Sequence, residues 1–259
     1  MCIRDRIYML IAVTGSSGTI GKELIKTITN RKHNFLQMNR GDLDINKENE
    51  VINFLNLNKP DAIIHLAKAD KNYTRVLLEW SKKNNTKFVF TSTYKVFSGK
   101  RLDAPYQVYD RPDGTDEFAQ YKIELEDLVF DIYPESYVAR LAWQIGKKPG
   151  GYNMLSFIKD QIDKRGIIHA SKNLYLSAMF LEDTTNALID LVESYMPGLY
   201  HLESNDGFSF FDIIYFLKHT LGHEWIILGD NKKFSKNDLM ENNKIKVRTF
   251  TELGMKHHK

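Results

Sequence analysis

The segment MLIAVTGSSGTIG, residues 9–21, joins a short apolar run to three glycines spaced three residues apart, at Gly15, Gly18 and Gly21. The apolar run has the length of a buried strand, and the residues Ile20–Ile28 carry apolar side chains at helical spacing. Glycine permits a positive φ in such a turn, and glycine at the start of the helix lets a diphosphate reach the backbone N–H groups there. The strand–turn–helix context therefore predicts a dinucleotide-binding turn, with an unspecialised Gly/Ser turn as the alternative.

Segments of strand-like and helix-like pattern alternate through the first 150 residues. The predicted strands are Met9–Val13, Phe35–Met38, Asp61–Ala67, Lys87–Thr93 and Ser136–Trp143. The predicted helices are Ile20–Ile28, Lys47–Leu57, Tyr73–Trp80 and Phe118–Phe130. Alternation of this kind predicts an α/β fold, a Rossmann-like doubly wound parallel sheet.

After Gly150 this rhythm changes. Three helices and one strand are predicted there, at Met154–Lys164, Asp183–Ser194, Phe210–Leu221 and Gly198–Ser204. We therefore expect a NAD(P)-binding Rossmann domain over residues 9–150 and a smaller C-terminal substrate-binding lobe over residues 151–259. The lobe is expected to be discontinuous, with residues 183–203 packing on the Rossmann domain.

Residues 1–8 stand apart from this pattern. The string MCIRDR resembles translated sequencing-adapter sequence of the kind found at the ends of metagenomic gene models, and MLIAVTG gives a natural start at Met9. We therefore predict that residues 1–8 are a non-native leader.

Composition narrows the classes of function. A formal net charge of +3 over 259 residues, with the basic residues scattered, argues against a nucleic-acid partner. Cys2 is the only cysteine, which excludes a disulfide framework and a CxxC metal site.

No apolar run approaches the roughly 20 residues that span a bilayer, and no signal peptide is visible, so we expect a cytoplasmic protein without a membrane segment. His65 and His201 lie inside apolar strands and are predicted to be core residues, and no metal site is predicted.

The end of the second predicted strand bears on the choice of cofactor. A site for NAD often holds a carboxylate there, which binds the ribose 2′-hydroxyl and repels a 2′-phosphate. Here the residues are Asn39 and Arg40, and an arginine attracts that phosphate. The sequence therefore favours NADP(H) over NAD(H), with a solvated loop arginine as the alternative.

Seven motifs follow one another along the chain: TGSSGTIG at 14–21, RGDLDI at 40–45, KPDAIIHLA at 59–67, TSTYKVFSG at 91–99, APYQVYDRP at 104–112, RLAWQIG at 140–146 and GLYHLES at 198–204. In content, order and spacing they resemble the extended short-chain dehydrogenases/reductases, in the dTDP-4-dehydrorhamnose reductase (RmlD-like) branch. The resemblance covers the chain from Met9 to about Gly222. It implies an NAD(P)-dependent oxidoreductase that reduces a 4-keto sugar nucleotide, and relatives often form homodimers.

The resemblance also implies a triad of a hydroxyl residue, a tyrosine and a lysine. Thr93 takes the first position, where it would hydrogen-bond a substrate carbonyl, and Lys122 takes the last, where it would hold the nicotinamide ribose. The tyrosine position, one helical turn before the lysine, is occupied by Phe118, which has no proton to donate. Tyr121 lies about 60° around the helix from that position, so we expect its hydroxyl to point elsewhere.

The remaining site residues are carried over from the motifs of the family. The predicted cofactor-binding residues are Gly15, Ser17, Gly18, Thr19, Ile20, Gly21, Asn39, Arg40, Asp44, Ile45, Leu66, Ala67, Lys68 and Lys122. The predicted substrate-binding residues are Tyr94, Arg140, Trp143 and Asn153. For Arg140 a structural ion-pair role is an equal alternative.

Three departures from the family pattern leave the activity open. They are Phe118, the short connection after HLA at residues 68–72, and Val108, where the pattern has a glutamate. One hypothesis is an NADPH-dependent nucleotide-sugar reductase with a rearranged proton donor. The second is a non-catalytic cofactor-binding protein with a regulatory or partner-binding role, for which the regulatory subunit of methionine adenosyltransferase is a precedent in this branch. A third, a structural partner that binds no nucleotide, is disfavoured by the intact glycine turn.

Overall fold

The computed structural model describes residues 8–39, 41, 43–100, 104–230, 236–242 and 244–258. The strands are β1 (Leu10–Thr14), β2 (Asn34–Met38), β3 (Ala62–His65), β4 (Lys87–Thr93), β5 (Tyr137–Leu141), β6 (Trp143–Ile145), β7 (Ile168–Ser171), β8 (Leu174–Tyr175), β9 (Ala178–Phe180), β10 (Gly198–Leu202), β11 (Ile227–Asp230) and β12 (Lys236–Asn237). The helices are α1 (Thr19–Asn30), α2 (Glu48–Asn58), α3 (Lys71–Asn84), α4 (Glu117–Ile132), α5 (Met154–Arg165), α6 (Leu181–Ser194) and α7 (Phe210–Thr220). A short 3-10 helix covers Tyr94–Val96.

Six strands form one sheet in the order β10-β5-β4-β3-β1-β2. β1 pairs in parallel with β2 on one side and with β3 on the other, and β3 pairs in parallel with β4. Parallel neighbours need a crossover connection, which α1, α2 and α3 provide between β1 and β4. This arrangement confirms the predicted Rossmann-like parallel sheet. The strand order reverses at β1, and ligands of such sheets bind at this switch point, beyond the carboxyl ends of the strands.

The chain divides into two compact units, each built from separate segments. Unit 1 comprises Met1–Thr91, Glu124–Val138 and Leu188–Gly198, with its first segment described from residue 8. Unit 2 comprises Ser92–Ile123, Ala139–Ala187 and Leu199–Lys259, described up to residue 258 with the gaps given above. The predicted domain boundary after residue 150 and the predicted packing of residues 183–203 stay predictions.

The core of unit 1 lies on its parallel strands and on its helices. Fully buried apolar side chains on β1, β3 and β4 are Ile11, Val13, Ile63, Ile64, Phe88 and Phe90. Those on α1 and α3 include Leu24, Ile28, Leu77 and Leu78. Neighbouring residues along each strand are both buried, as expected for a parallel sheet covered by helices on its two faces.

The core of unit 2 is a cluster to which α5, α7 and several short strands contribute. Its buried members include Met154, Ile158, Ile168, Ala178, Ile213 and Phe250. Around it, β7 pairs with β11, β6 with β9, and β8 with β12, all in parallel. The sequence predicted only an irregular stretch between α5 and α6, because strands of two to four residues are too short to show a periodicity.

The predicted strand Ser136–Trp143 is wrong as a single element, since the chain breaks at Ala142 into β5 and β6. The N–H of Ala142 donates to the carbonyl of Leu202 in β10 at 3.2 Å. The next N–H, of Trp143, donates instead to the carbonyl of Ser177 at 3.0 Å. The backbone therefore changes partner between two consecutive residues, which a continuous apolar pattern does not reveal.

Candidate functional site

The glycine turn after β1 packs closely around two of its glycines. Gly15 has a φ of +68°, and a Cβ placed on it would lie 3.0 Å from the backbone N of Ala67. A Cβ on Gly21 would lie only 2.3 Å from the carbonyl oxygen of Gly15. The N–H of Gly18 closes the turn by donating to the same carbonyl at 3.0 Å. The turn thus has the tight backbone packing that glycine permits and that dinucleotide-binding turns use.

Helix α1 begins at this turn without a side-chain cap. Its N-cap residue is Gly18, which offers no side-chain acceptor, and its first turn contains no acidic residue. Ser17 and Gly18 are exposed, and Thr19 and Ile20 are half-buried. No capping side chain and no acidic residue of the first turn offsets the positive end of the helix dipole, which favours a bound anion there.

A buried polar network fixes the carboxyl ends of β1 and β3 beside the turn. The N–H of Ala67 donates to Thr14 Oγ1 at 3.2 Å, and this oxygen lies 2.7 Å from Nδ1 of the fully buried His65. On the other side of the ring, His65 Nε2 lies 3.1 Å from Thr74 Oγ1, which donates to the carbonyl of Asp70 at 3.3 Å. Thr74 uses its proton on Asp70 and so accepts from His65 Nε2–H. The network directs the Nε2–H of His65 toward Thr74 Oγ1, and the full burial of the ring confirms this histidine as a core residue.

The residue after β2 is tied to the glycine turn. Ser16 Oγ donates to Asn39 Oδ1 at 2.6 Å, and Asn39 Nδ2 donates to Gln37 Oε1 at 3.3 Å. An amide held by the turn therefore stands where an NAD site often has a carboxylate. Arg40, on which the predicted preference for NADP(H) also depends, lies outside the described residues.

The other residues of unit 1 that were predicted to bind the cofactor lie in loops. Asp44 Oδ1 accepts the N–H of Asn46 at 3.1 Å, so this carboxylate shapes the turn that precedes α2. Ile45, Leu66 and Ala67 are half-buried and Lys68 is exposed. Their contacts with a cofactor stay predictions.

Thr93 ends β4 and caps the 3-10 helix that follows. Its Oγ1 accepts the N–H of Lys95 at 3.3 Å. A threonine hydroxyl has one proton besides its lone pairs, so this contact leaves the proton for another acceptor.

The next residue, Tyr94, has a raised pKa. Burial is the largest cause, and the nearby carboxylate of Asp238 is the second. Tyr94 therefore remains a protonated phenol at neutral pH.

Lys122 lies on α4 among aromatic rings, with only 6% of the residue exposed. Its Nζ is 6.0 Å from the ring centroid of Phe118 and 5.8 Å from that of Tyr121. The two rings are nearly parallel, with centroids 6.5 Å apart and planes at 28°. The angular offset on the helix therefore does not keep the Tyr121 ring from the ammonium group. Of the two rings at this distance from Lys122, only that of Tyr121 carries a hydroxyl.

Arg140 is buried inside unit 2, with 2% of the residue exposed. Its guanidinium carbon lies 4.9 Å from the ring centroid of Phe97, and its Nη1 lies 3.3 Å from His201 Nε2. Burial, followed by the charge of Arg140, lowers the pKa of His201 to about 3, so this core histidine is neutral. Arginine only donates, so Nε2 accepts and the proton on Nδ1 goes to the carbonyl of Glu241 at 3.2 Å. These contacts give Arg140 a packing role, and its contact with a substrate stays a prediction.

Asn153 caps α5 with a side-chain amide whose protons are both in use. Its Oδ1 accepts the N–H of Ser156 at 3.0 Å. Its Nδ2 donates to the carbonyls of Lys148 and Gly150 at 3.3 and 2.6 Å. Asn153 thus holds the Lys148–Gly150 loop, and its predicted contact with a substrate would require those bonds to open.

Trp143 lies half-buried beside two other aromatic rings. The centroids of Phe157 and Phe210 are 5.5 and 6.5 Å from that of Trp143. Phe157 is 40% exposed, so this cluster reaches the surface of unit 2. An aromatic face of this kind suits the apolar side of a sugar ring, and the role of Trp143 stays a prediction.

Glu203 is a buried acidic residue that the sequence analysis did not select. It follows β10 and is 4% exposed. Its Oε1 accepts the N–H groups of Ala178 and Asn205 at 3.0 and 2.9 Å, and its Oε2 accepts that of Met240 at 3.4 Å. Burial raises the pKa of Glu203 to about 8 in spite of these donors. The sequence did offer one signal for a buried acid: Glu203 comes directly after the apolar residues of the predicted strand Gly198–Ser204.

Comparison with known proteins decides the family of this chain. The family model described as "RmlD substrate binding domain" matches residues 9–220. The chain belongs to the RmlD family. Two curated relatives of this RmlD chain are dTDP-4-dehydrorhamnose reductases. That of Mycolicibacterium smegmatis is 24% identical over 225 residues, 80% of this chain and 68% of that protein. That of Aggregatibacter actinomycetemcomitans is 22% identical over 225 residues, 78% of this chain and 76% of that protein.

Solved structures share the fold of the RmlD chain. The dTDP-4-dehydrorhamnose reductase of Bacillus anthracis in complex with NADP has a TM-score of 0.80 at 19% identity, over 95% of this chain and 97% of that chain. The dTDP-glucose 4,6-dehydratase of the same organism in complex with NAD has a TM-score of 0.70 at 15% identity, over 90% and 88%. These findings confirm the resemblance to the RmlD-like extended short-chain dehydrogenases/reductases and the Rossmann-like architecture.

The site residues predicted for the RmlD chain fall into two groups. The glycine turn, Asn39, residues 44–45 and residues 66–68 belong to unit 1. The triad positions and the predicted substrate contacts belong to unit 2: Thr93, Tyr94, Phe118, Lys122, Arg140, Trp143 and Asn153.

Over the described ranges, no three His, Cys, Asp or Glu side chains form a group that could hold a metal ion. No helix within those ranges has the length and apolar character needed to cross a bilayer.

Proposed function

We propose that this chain is an NADP(H)-binding nucleotide-sugar oxidoreductase, similar to the dTDP-4-dehydrorhamnose reductases, with turnover limited by the missing phenol at Phe118. The observation that carries the proposal is the tightly packed glycine turn after β1, where Gly15 has a φ of +68° and Gly21 leaves no room for a Cβ. A turn of this kind at the uncapped start of α1 lets a diphosphate reach backbone N–H groups. The reductase solved in complex with NADP supports the class of cofactor.

The preference for NADP(H) rests on the residues after β2. Asn39 carries no negative charge that would repel a 2′-phosphate, and Arg40 follows it in the sequence. A related dehydratase was solved in complex with NAD, so the two dinucleotides have to be compared directly.

Reduction of a ketone to an alcohol needs a hydride and a proton, and bound NADPH would supply the hydride. Thr93 keeps its hydroxyl proton and can donate it as a hydrogen bond to the ketone oxygen. The ammonium of Lys122 can hold ribose hydroxyls and stabilise the negative charge that develops on that oxygen. Phe118 cannot provide the proton, which then has to come from Tyr121, from Tyr94 or from water.

The same phenylalanine supports a second candidate function, a non-catalytic cofactor-binding protein with a regulatory or partner-binding role. A positioned general acid contributes about 10²–10⁴-fold to a reaction of this kind. Without it, the cradle and the buried Lys122 would still retain the cofactor. A nucleotide sugar remains the proposed small-molecule partner of the first candidate, and a homodimer stays a prediction for both.

Cofactor binding tests what the two candidates share. We expect the protein to bind NADPH more tightly than NADH when each is titrated against it by calorimetry. Gly21→Ala would place a methyl group 2.3 Å from the carbonyl oxygen of Gly15, so NADPH binding should weaken by at least about tenfold. Lys26→Ala, on the same helix with a 68% exposed side chain, is the matched control and should leave the affinity unchanged. A folded protein that binds neither dinucleotide would eliminate both candidates.

A further inference from the structure

A cavity of about 460 Å³ lies within unit 2, and none of its lining residues belongs to the candidate site. Its floor is apolar. Leu155 and Ile162 lie two turns apart on one face of α5, and Leu221 follows the end of α7. Leu155 belongs to the buried core, so the floor is fixed by the packing of unit 2. The volume is in the range of small-molecule sites.

One wall of this cavity is aromatic. The rings of His223 and Trp225 stack with their centroids 4.5 Å apart and their planes at 17°. Trp225 is half-buried whereas His223 is exposed, so the ring pair is anchored through the indole. An anchored indole beside an apolar floor favours a planar ring as ligand, because little side-chain freedom is lost on stacking.

The rim of the cavity is cationic. It carries Lys147, Lys148 and Lys159, and none of the lining residues is acidic. Lys147 pairs with Glu182 at 2.9 Å and Lys159 pairs with Asp163 at 2.5 Å, in each case between exposed side chains. Exposed ion pairs contribute little to stability. A phosphate at the rim would meet three ammonium groups, and it would displace the exposed carboxylate partners of Lys147 and Lys159 without breaking a buried pair.

We propose that this cavity binds a nucleoside phosphate, with the base against Trp225 and the phosphate at the lysine rim. The two halves of such a ligand match the two kinds of wall: a planar ring for the indole and the apolar floor, and an anion for the rim. The inference is independent of the proposed function, since it uses no residue of the cofactor cradle or of the triad.

The first test compares three probes by calorimetry: AMP, adenosine and inorganic phosphate. AMP should bind at least about tenfold more tightly than either of its parts, because stacking on an aromatic side chain and pairing with the rim act together. The Gly21→Ala protein, in which the dinucleotide cradle is blocked, should bind AMP as well as the unmodified chain does. AMP binding that disappears in Gly21→Ala, or that adenosine or phosphate alone reproduces, would overturn the proposal.

Two lysines of α5 provide a matched pair for the second test. Lys159 lines the cavity and pairs with Asp163, whereas Lys164 pairs with Asp160 on the same helix and does not line it. The double variant Lys148→Ala/Lys159→Ala should bind AMP at least about tenfold more weakly, and Lys164→Ala should bind it normally. Trp225→Leu should lower AMP binding to the level of inorganic phosphate, with circular dichroism as the check on folding. Equal AMP affinity across these variants would show that the cavity is not the site.

Discussion

Lys122 Nζ lies 6.0 Å from the ring centroid of Phe118 and 5.8 Å from that of Tyr121. An ammonium close to a phenol favours its ionised form, but Phe118, at the predicted tyrosine position, carries no hydroxyl. At the scale of single residues, Phe118 differs from the tyrosine predicted at its position by one oxygen atom. Lys122 itself is buried, with 6% of the residue exposed.

Restoring that oxygen atom should reveal a latent activity. We expect Phe118→Tyr to oxidise NADPH with a 4-keto sugar nucleotide about 10²-fold faster than the unmodified chain, because it regains a positioned general acid. The measurement is the rate of loss of NADPH absorbance. Tyr121→Phe in the Phe118→Tyr background is the control and should not lower that rate. An unmodified chain that already turns over as fast as Phe118→Tyr would show that Phe118 is not a defect.

At the scale of elements, the short connection from β3 to α3 has a structural role of its own. Asp70 is the N-cap of α3, and its Oδ1 accepts the N–H of Tyr73 at 2.7 Å. The carbonyl of Asp70 accepts the proton of Thr74, which belongs to the network around His65. The connection comprises residues 66–70 and ends in this cap.

Removal of this cap should destabilise unit 1 by a predictable amount. Asp70→Ala is expected to lower the free energy of unfolding in urea by about 1 kcal/mol, because an N–H group of α3 loses its acceptor. Asp70→Asn retains an acceptor oxygen and should recover most of the loss. Asp127→Ala, at an exposed position of α4, serves as control and should change stability little. Equal stability of Asp70→Ala and the unmodified chain would contradict the role of the cap.

Helices and strands with a long periodic pattern were predictable from the sequence. Strands whose ends depend on the backbone groups they pair with were not. The predicted strand Lys87–Thr93 has the bounds of β4, and the helices of the first half were all anticipated within a few residues of their ends. The division at Ala142 escaped prediction because it depends on two acceptors, Leu202 and Ser177, that are distant in sequence. Pairing partners are not encoded in local periodicity.

At the scale of the whole molecule, the same distinction separates the two groups of predicted site residues. The predicted cofactor turn is contiguous in sequence, so its glycine spacing and its strand–turn–helix context were enough to predict it. The environments of Arg140, Asn153 and Glu203 depend on segments far along the chain, and no local motif shows that Arg140 lies against Phe97 and His201. The sequence therefore indicated which side chains could belong to a site. Only the fold showed whether their polar groups already form hydrogen bonds within the protein.

Glu203 should make the stability of the whole chain depend on pH. Its pKa is raised from 4.5 to about 8 by burial, so the folded protein retains a proton that the unfolded chain releases. The free energy of unfolding should therefore fall as pH rises from 4.5 through about 8, by an amount on the order of a few kcal/mol.

Urea unfolding across this pH window provides the measurement. Glu203→Gln, which cannot ionise and retains an acceptor oxygen, should remove that part of the slope. A slope that is identical in the two proteins would mean that Glu203 ionises normally in the folded state.

One amide group has a consequence for how two ligands would affect each other. Asn153 Nδ2 donates to the carbonyls of Lys148 and Gly150, so the predicted contact of Asn153 with a sugar nucleotide would have to release these bonds. Lys148 also lines the cavity that we propose for a nucleoside phosphate, and a phosphate held there would resist movement of the loop. A compound that recruits Asn153 and a compound that engages Lys148 would then be antagonists. By thermodynamic reciprocity, each would weaken the other by the same factor.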